Sequence, residues 1–248
     1  MADVRQFAGF ELPPDEGTKV WRYMTLDRFQ SLLQASALYF AAARQFTDQY
    51  EGAISRIDNQ RRAAHWSDVG AGNHISEAFE ELRRLTKISC WHMSDHESEA
   101  MWRLYVAEGR GVAVQTTIAR LAASFSPFRL DPSYGEETIW LGAVRYLDYR
   151  TTGLPDRSML GRFFCKRRSF SHEAEMRAVI SLRQAEEFAV QVPEKGILVG
   201  VDLERLIERV FVAPGVSDEF VADVQCALKK AALSTPVERT ELDDPVYY

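Results

Sequence analysis

From Ala174 onward, apolar residues alternate with polar ones: Met176, Ala178, Ile180 and Leu182 fall on one side, with Glu173, Glu175 and Arg177 on the other. A period of two predicts a strand with one buried face. Further short strands are predicted at Val20–Met24, Leu38–Ala42, Lys87–His92, Gly111–Gln115, Ile139–Tyr146, Ile197–Val201 and Arg209–Ala213. Helical spacing lies between them. Thr25 is placed to cap a helix whose Leu26, Phe29, Leu32 and Leu33 share a side. Ser76 opens a helix reaching Leu85, and Ser94 one that carries Met101, Trp102, Leu104 and Tyr105 and closes at Gly109. A helix from Ile118 to about Phe125 follows, and another from about Ser158 leads into the Glu173 strand. Ser217 caps the last helix, with Asp218 and Glu219 in its first turn and Lys229 and Lys230 near its end, as the helix dipole favours.

These elements predict one α+β domain, a mixed or antiparallel sheet of about six to eight strands flanked by helices, without βαβ regularity. Residues 1–19, with Pro13, Pro14 and four acids, read as a loose N-terminal arm. Residues 20–235 form the domain, and residues 236–248 a C-terminal tail or edge strand. The polar, Arg-rich stretch from Ala53 to Asn73 has a break at Gly70-Ala71-Gly72.

A length of 248 residues suits one large domain. No apolar run approaches the roughly 20 residues that cross a bilayer. The opening residues lack a basic region followed by an apolar stretch, so no secretory signal is expected. Three cysteines, Cys90, Cys165 and Cys226, make no disulfide framework, and a reducing cytoplasm is the expected compartment. A net charge of −6 argues against broad nucleic-acid binding. Basic residues do gather at Arg162, Lys166, Arg167 and Arg168, either as a solvated surface or to meet a phosphate-bearing molecule.

Two carboxylates and a guanidinium on one strand face, Glu173, Glu175 and Arg177, suit either of two roles. They polarise, deprotonate or hold a ligand, or they form a cross-strand ion pair on a solvated edge. Asp48 and Glu51 stand in a loop beside Gly52 and serve either turn chemistry or ligand binding. Cys90, His92, His96 and Glu99 are metal-ligand types, but a strand and a helix divide them, and no metal site is expected. No GxSxG elbow, P-loop or dinucleotide glycine loop is present. Trp21, Tyr23, Tyr39, Phe40, Trp91, Trp102 and Tyr105 suit a core, or one or two of them a stacking wall. A nuclease reading has the acids and Lys166 in its favour but lacks spaced aspartates for metal ions.

Several blocks in order resemble the bacterial domain-of-unknown-function 2971 family. Arg22-Tyr23-Met24-Thr25-Leu26, Leu38-Tyr39-Phe40 and Phe46-Thr47-Asp48-Gln49-Tyr50-Glu51-Gly52 resemble its opening. Ile88-Ser89-Cys90-Trp91, Met101-Trp102-Arg103-Leu104-Tyr105 and Gly111-Val112-Ala113-Val114 resemble its middle. Lys166, Phe170, His172, Glu173, Glu175 and Arg177 match its closing pattern, so the likeness runs from about Val20 to Leu182. The chain departs at Thr47, Gln49 and Phe170, where the family usually has asparagine, proline and tryptophan.

The family's order of elements is similar to the ADP-ribosyltransferase superfamily. The resemblance implies an NAD-using transferase, with Glu175 or Glu173 catalytic and Arg22 or Tyr23 gripping NAD. It further implies that Tyr39 or Tyr50 stacks on the nicotinamide and that Lys166 and Arg177 hold the pyrophosphate. A bacterial toxin or phage-defence effector is the setting it implies. The alternative is a non-enzymatic sensor or interaction module, in which Glu173, Glu175 and Arg177 tie the strand to Lys166 and the Asp48 loop.

Overall fold

The structure, a computed structural model, describes every residue except Pro14, 66–70 and 107–108, and no side chain at 65 or 71–75. In chain order, the first half holds β1 (Val4–Gln6), β2 (Lys19–Thr25), α1 (Leu26–Ala35), β3 (Ala37–Ala42), α2 (Arg56–His65), α3 (Ala71–Leu85), β4 (Thr86–Met93), α4 (Glu99–Tyr105), β5 (Gly111–Thr117) and α5 (Ile118–Ser124). The second half holds β6 (Ile139–Ala143), β7 (Arg145–Leu147), β8 (Cys165–Arg167), β9 (Glu175–Ser181), α6 (Arg183–Glu187), β10 (Gly196–Gly200), α7 (Leu203–Leu206), β11 (Arg209–Val212), α8 (Asp218–Lys230) and β12 (Val237–Arg239).

The α+β class is as the periodicity implies, and the sheet is wider than expected. Ten strands join along β1-β6-β9-β4-β2-β5-β11-β12, with β3 on β4 and β10 on β3. The strands at the two ends of that path, β1 and β12, lie parallel to their neighbours β6 and β11, while the other pairs of the sheet are antiparallel. β7 and β8 form a separate parallel pair. These four strands have three residues each, too few for alternation to register.

Both β2 and β3 sit on the same edge of β4. β2 pairs at His92 and Met93, and β3 pairs at Lys87 and Ile88. Ser89, Cys90 and Trp91 lie between them at a gap in the ladder. Arg22 bridges that gap, donating to Ser89 Oγ at 2.7 Å and to the Tyr39 carbonyl at 3.0 Å.

Register divides the sheet into two faces. One buries Val20, Met24, Trp91, Met176, Ala178 and Ile180 under Phe29, Leu32 and Leu33 of α1 and Phe220, Val224 and Leu228 of α8. The opposite face carries two smaller apolar patches. Ile88 and Val179 pack against Phe10, Phe163 and Phe164. Trp21 and Tyr23 pack against Met101 and Trp102 of α4. Between those patches stand Cys90, His92, Glu175 and Arg177.

Several expectations are corrected. The loose arm is pinned by β1 and by Phe10, which is buried. The tail does supply an edge strand, and Glu97 anchors the end of it by accepting from Thr240 Oγ1 (2.6 Å) and the Glu241 N–H (2.7 Å). The Ser94 helix begins only at Glu99, because the Ser94 carbonyl is taken by Trp21 Nε1 at 2.7 Å and Ser98 is the cap. Gly109 is left-handed (φ 69°), but the helix has already ended at Tyr105. Gly70 lies outside the described residues, whereas Ala71 and Gly72 already belong to α3, so Ser76 is not its cap. The strand expected from Ile139 to Tyr146 splits where Val144 donates its N–H to the Glu175 carbonyl at 2.8 Å. In place of a helix from Ser158 come a 3-10 turn at Gly161–Phe164, β8 and a 3-10 turn at Arg168–Glu173.

Candidate functional site

β9 is an inner strand, held by β4 on one side and β6 on the other. Its polar face is therefore buried, not a solvated edge. Arg177 is wholly inaccessible, and Glu175 is 3% exposed. A charge so placed is stable only where partners replace water. Arg177 donates to both carboxylate oxygens of Glu51 (2.6 and 3.0 Å), to Glu175 Oε2 (2.7 Å) and to the Phe163 carbonyl (2.6 Å). Burial works against its charge, but Glu175 and Glu51 outweigh it and hold the guanidinium well above its ordinary pKa.

Glu173 is not on the strand. It ends the 3-10 turn, and Ala174, left-handed at φ 39°, swings it beside Glu175 instead of two places along the same face. Lys166 Nζ then meets Glu173 Oε2 and Glu175 Oε1, each at 2.5 Å. The chain of charges is thus Glu51–Arg177–Glu175–Lys166–Glu173. Burial opposes ionisation of Glu175, yet Arg177, the hydrogen bond with Glu173 and Lys166 drive its carboxyl far below the usual range. Burial and the neighbouring Glu175 push Glu173 the other way, up to about 7. With Glu173 neutral, two cations face two carboxylates.

The loop after β3 brings in Glu51. Asp48 Oδ1 accepts the Tyr50 N–H at 3.1 Å, an Asx turn, and also accepts Arg167 Nη2 at 2.6 Å. Turn chemistry and side-chain binding coexist there. The Arg167 guanidinium lies 4.3 Å from the Tyr50 ring centroid and 5.3 Å from that of Phe170. Thr47, Asp48, Gln49, Tyr50, Arg167 and Phe170 line an open cavity of about 300 Å³. Lys166 Nζ sits 4.7 Å from Phe170, which joins this cavity to the ion chain. Gly52 closes the turn at φ 72°, and a Cβ there would lie 2.3 Å from Phe163 Cε1. Gly52→Ala is expected to cost about 2–4 kcal/mol of stability, read from urea unfolding.

The residues expected to bind a cofactor do not all gather. Trp21 pairs with His92 and His92 with Glu175, so Tyr23, two residues from Trp21, shares their face. Its ring centroid is 6.3 Å from that of His92. Arg22 points to the opposite face, over the Trp91 ring, where burial lowers its pKa to about 10. Tyr39 lies against Gly196 with its hydroxyl donating to Gln45 Oε1 at 3.0 Å, and Tyr50 stacks with Arg167.

No protein family's sequence model matches this chain, and no curated protein matches it. His92, flagged in the sequence only as a ligand-type residue, joins the site with its Nδ1 bonded to the Glu173 carbonyl at 2.6 Å. Sequence reasoning missed Tyr146, whose hydroxyl accepts the Glu175 N–H at 2.8 Å. It has no spacing signal, because the outlying strand β7 brings it in. Among the described residues no cluster of histidine, cysteine and acidic side chains is arranged to hold a metal ion, and no helix is long and apolar enough to cross a membrane.

Proposed function

We propose that the chain is an NAD-using transferase of the ADP-ribosyltransferase type, working on the sheet face that carries Tyr23, His92 and Glu175. The observation that carries this reading is the adjacency β2–β4–β9. It sets an aromatic of the first domain strand and Glu175 of the late strand around one short stretch of β4, with Glu173 brought in by the turn before β9. The reaction breaks the bond between nicotinamide and the ribose carbon. Nicotinamide leaves with the bonding pair, and positive charge develops on the ribose. Glu175, fixed as a carboxylate, supplies opposite charge to that centre. Glu173, titrating near neutrality, takes the proton that the acceptor loses as it bonds to the ribose carbon. Two neighbouring carboxyls pushed apart in pKa are the usual way to divide such roles. The Tyr50–Arg167–Phe170 cavity offers a cation and aromatic faces for the remainder of the dinucleotide.

Calorimetric titration with NAD, together with nicotinamide release, tests the reading. Wild type is expected to bind and release nicotinamide, while Glu175→Gln and Glu173→Gln keep the fold and lose turnover by about a hundredfold or more. Unchanged turnover in both variants overturns the assignment.

One observation favours a second reading, a sensor or interaction module. Both Glu175 oxygens are already occupied, by Lys166 and Arg177, as in a purely structural tie between β9, β8 and the Asp48 loop. No heat with NAD at millimolar concentration supports that module instead.

A further inference from the structure

Of the four basic residues clustered along Arg162–Arg168, three have carboxylate partners. Lys166 meets Glu173 and Glu175, Arg167 meets Asp48, and Arg168 meets Asp148. Arg162 has none among the described residues. It is only 7% exposed, and its Nε and Nη1 are buried without a hydrogen-bond partner. Its guanidinium lies 4.3 Å from the Phe79 ring centroid, and the Arg62 guanidinium lies 5.4 Å from the same ring. Two cations therefore approach one aromatic ring. The Tyr149 hydroxyl is a further buried polar atom without a partner; it is among the groups that act on the Arg162 charge, and its ring lies edge-on to Tyr50 with centroids 5.8 Å apart.

A buried, unpaired guanidinium is among the least favourable arrangements in a protein unless an anion completes it. Burial and Arg62 both lower the Arg162 pKa, and no carboxylate is among the groups acting on it. The acid of α2, Asp58, accepts from Ser55 and the Leu154 N–H at Oδ2, while its Oδ1, without a hydrogen bond, faces Arg61 at 3.6 Å and Arg157 at 3.8 Å. Arginine beside a hydroxyl donor and a second arginine is a donor set suited to a tetrahedral oxyanion.

We propose that Arg162, Tyr149 and Arg62 form an anion site for a phosphate group, outside the Glu51–Arg177–Glu175–Lys166–Glu173 ion chain. Arg162 and Tyr149 supply the unmet N–H and O–H donors. Arg62, more exposed on α2, closes the site from outside. The group is either free phosphate or the phosphate of a small ester such as a mononucleotide.

The test is a melting series of the full chain in inorganic phosphate, with chloride at matched ionic strength as the reference and AMP as a parallel arm. Wild type is expected to melt progressively higher as phosphate rises. Arg162→Met is expected to weaken phosphate binding by about tenfold or more, and Tyr149→Phe by about threefold. Without phosphate, Arg162→Met should melt no lower than wild type, because it removes an unmet buried charge. Equal responses to phosphate and AMP mark a site for the phosphate alone, and a stronger response to AMP marks a site for the ester. An identical phosphate response in wild type and Arg162→Met overturns the proposal. So does no wild-type response at tens of millimolar, or an Arg162→Met protein that melts well below wild type without phosphate. Should Arg162→Met fail to fold, Tyr149→Phe still decides, since it removes one hydroxyl and an unweakened response there has the same meaning.

Discussion

Arg177→Met is expected to cost about 3–5 kcal/mol of folding stability, the usual penalty for leaving a buried charge without its partner. The side chain fills nearly the same volume, so little of the loss comes from packing. It comes from Glu51, inaccessible and held only by Arg177 among the described ion pairs, and from the half of Glu175 that faces away from Lys166. Urea unfolding of the single variant and of Arg177→Met/Glu51→Gln separates the two contributions. The double variant should regain part of the loss, because a neutral amide is cheaper to bury unpaired than a carboxylate. A loss below about 1 kcal/mol in the single variant would mean that water reaches the network and does the work assigned to Arg177.

Stability should fall as pH rises from about 5 to 8. Glu173 keeps its proton in the folded chain up to about 7, where an unfolded glutamate has already lost it near 4.5. Over that window the folded state binds more protons than the unfolded state, so raising the pH favours unfolding. Glu137, raised to about 7 by burial, acts in the same direction. Glu175 acts oppositely: its depressed pKa stabilises the fold above about 4.5, and that contribution fades on acidification below it. His92, whose pKa burial lowers, also acts oppositely, its contribution growing as the pH rises toward 6.5. The maximum is therefore expected in weak acid. Glu173 alone accounts for on the order of 2–3 kcal/mol between the maximum and pH 8. Melting curves of wild type and Glu173→Gln across this range check the sign, since the variant should be flatter and the more stable of the two at pH 8. A wild-type profile that is flat from 5 to 8 would show that Glu173 is ionised throughout.

Much of the fold was legible in the chain. Met176, Ala178, Ile180 and Leu182 alternate as they do because one side of β9 faces the main core, and the long inner strands and the Ser217 cap obey the same logic. The polar side of β9 was readable as polar but not as buried, because burial depends on β6 and on the Glu51 loop arriving from far along the sequence. Alternation also placed Glu173 on the strand, and it missed the left-handed Ala174, an unusual conformation for alanine that sequence does not announce. Whether Arg22 or Tyr23 faced the glutamates hung on a single step of register, which the pairing of Trp21 with His92 decides in favour of Tyr23. The pairing of Asp48 with Arg167 bridges 119 positions, a distance over which local spacing carries no information.

The two three-residue strands at the margins of the sheet have a consequence for how the molecule behaves in a crowd. Val4–Gln6 lies along Ile139–Ala143, and Val237–Arg239 along Arg209–Val212, so each longer strand has its outer row of N–H and C=O groups covered. Residues Ile139 to Ala143 carry no charge and are apolar apart from glycine. Removing Val4–Gln6 would bare that row on an uncharged strand, the kind of surface onto which a second chain adds itself edge to edge. These two short strands thus act as a guard against self-association at those two edges, and loss of Val4–Gln6 would show first as aggregation, before any loss of the core.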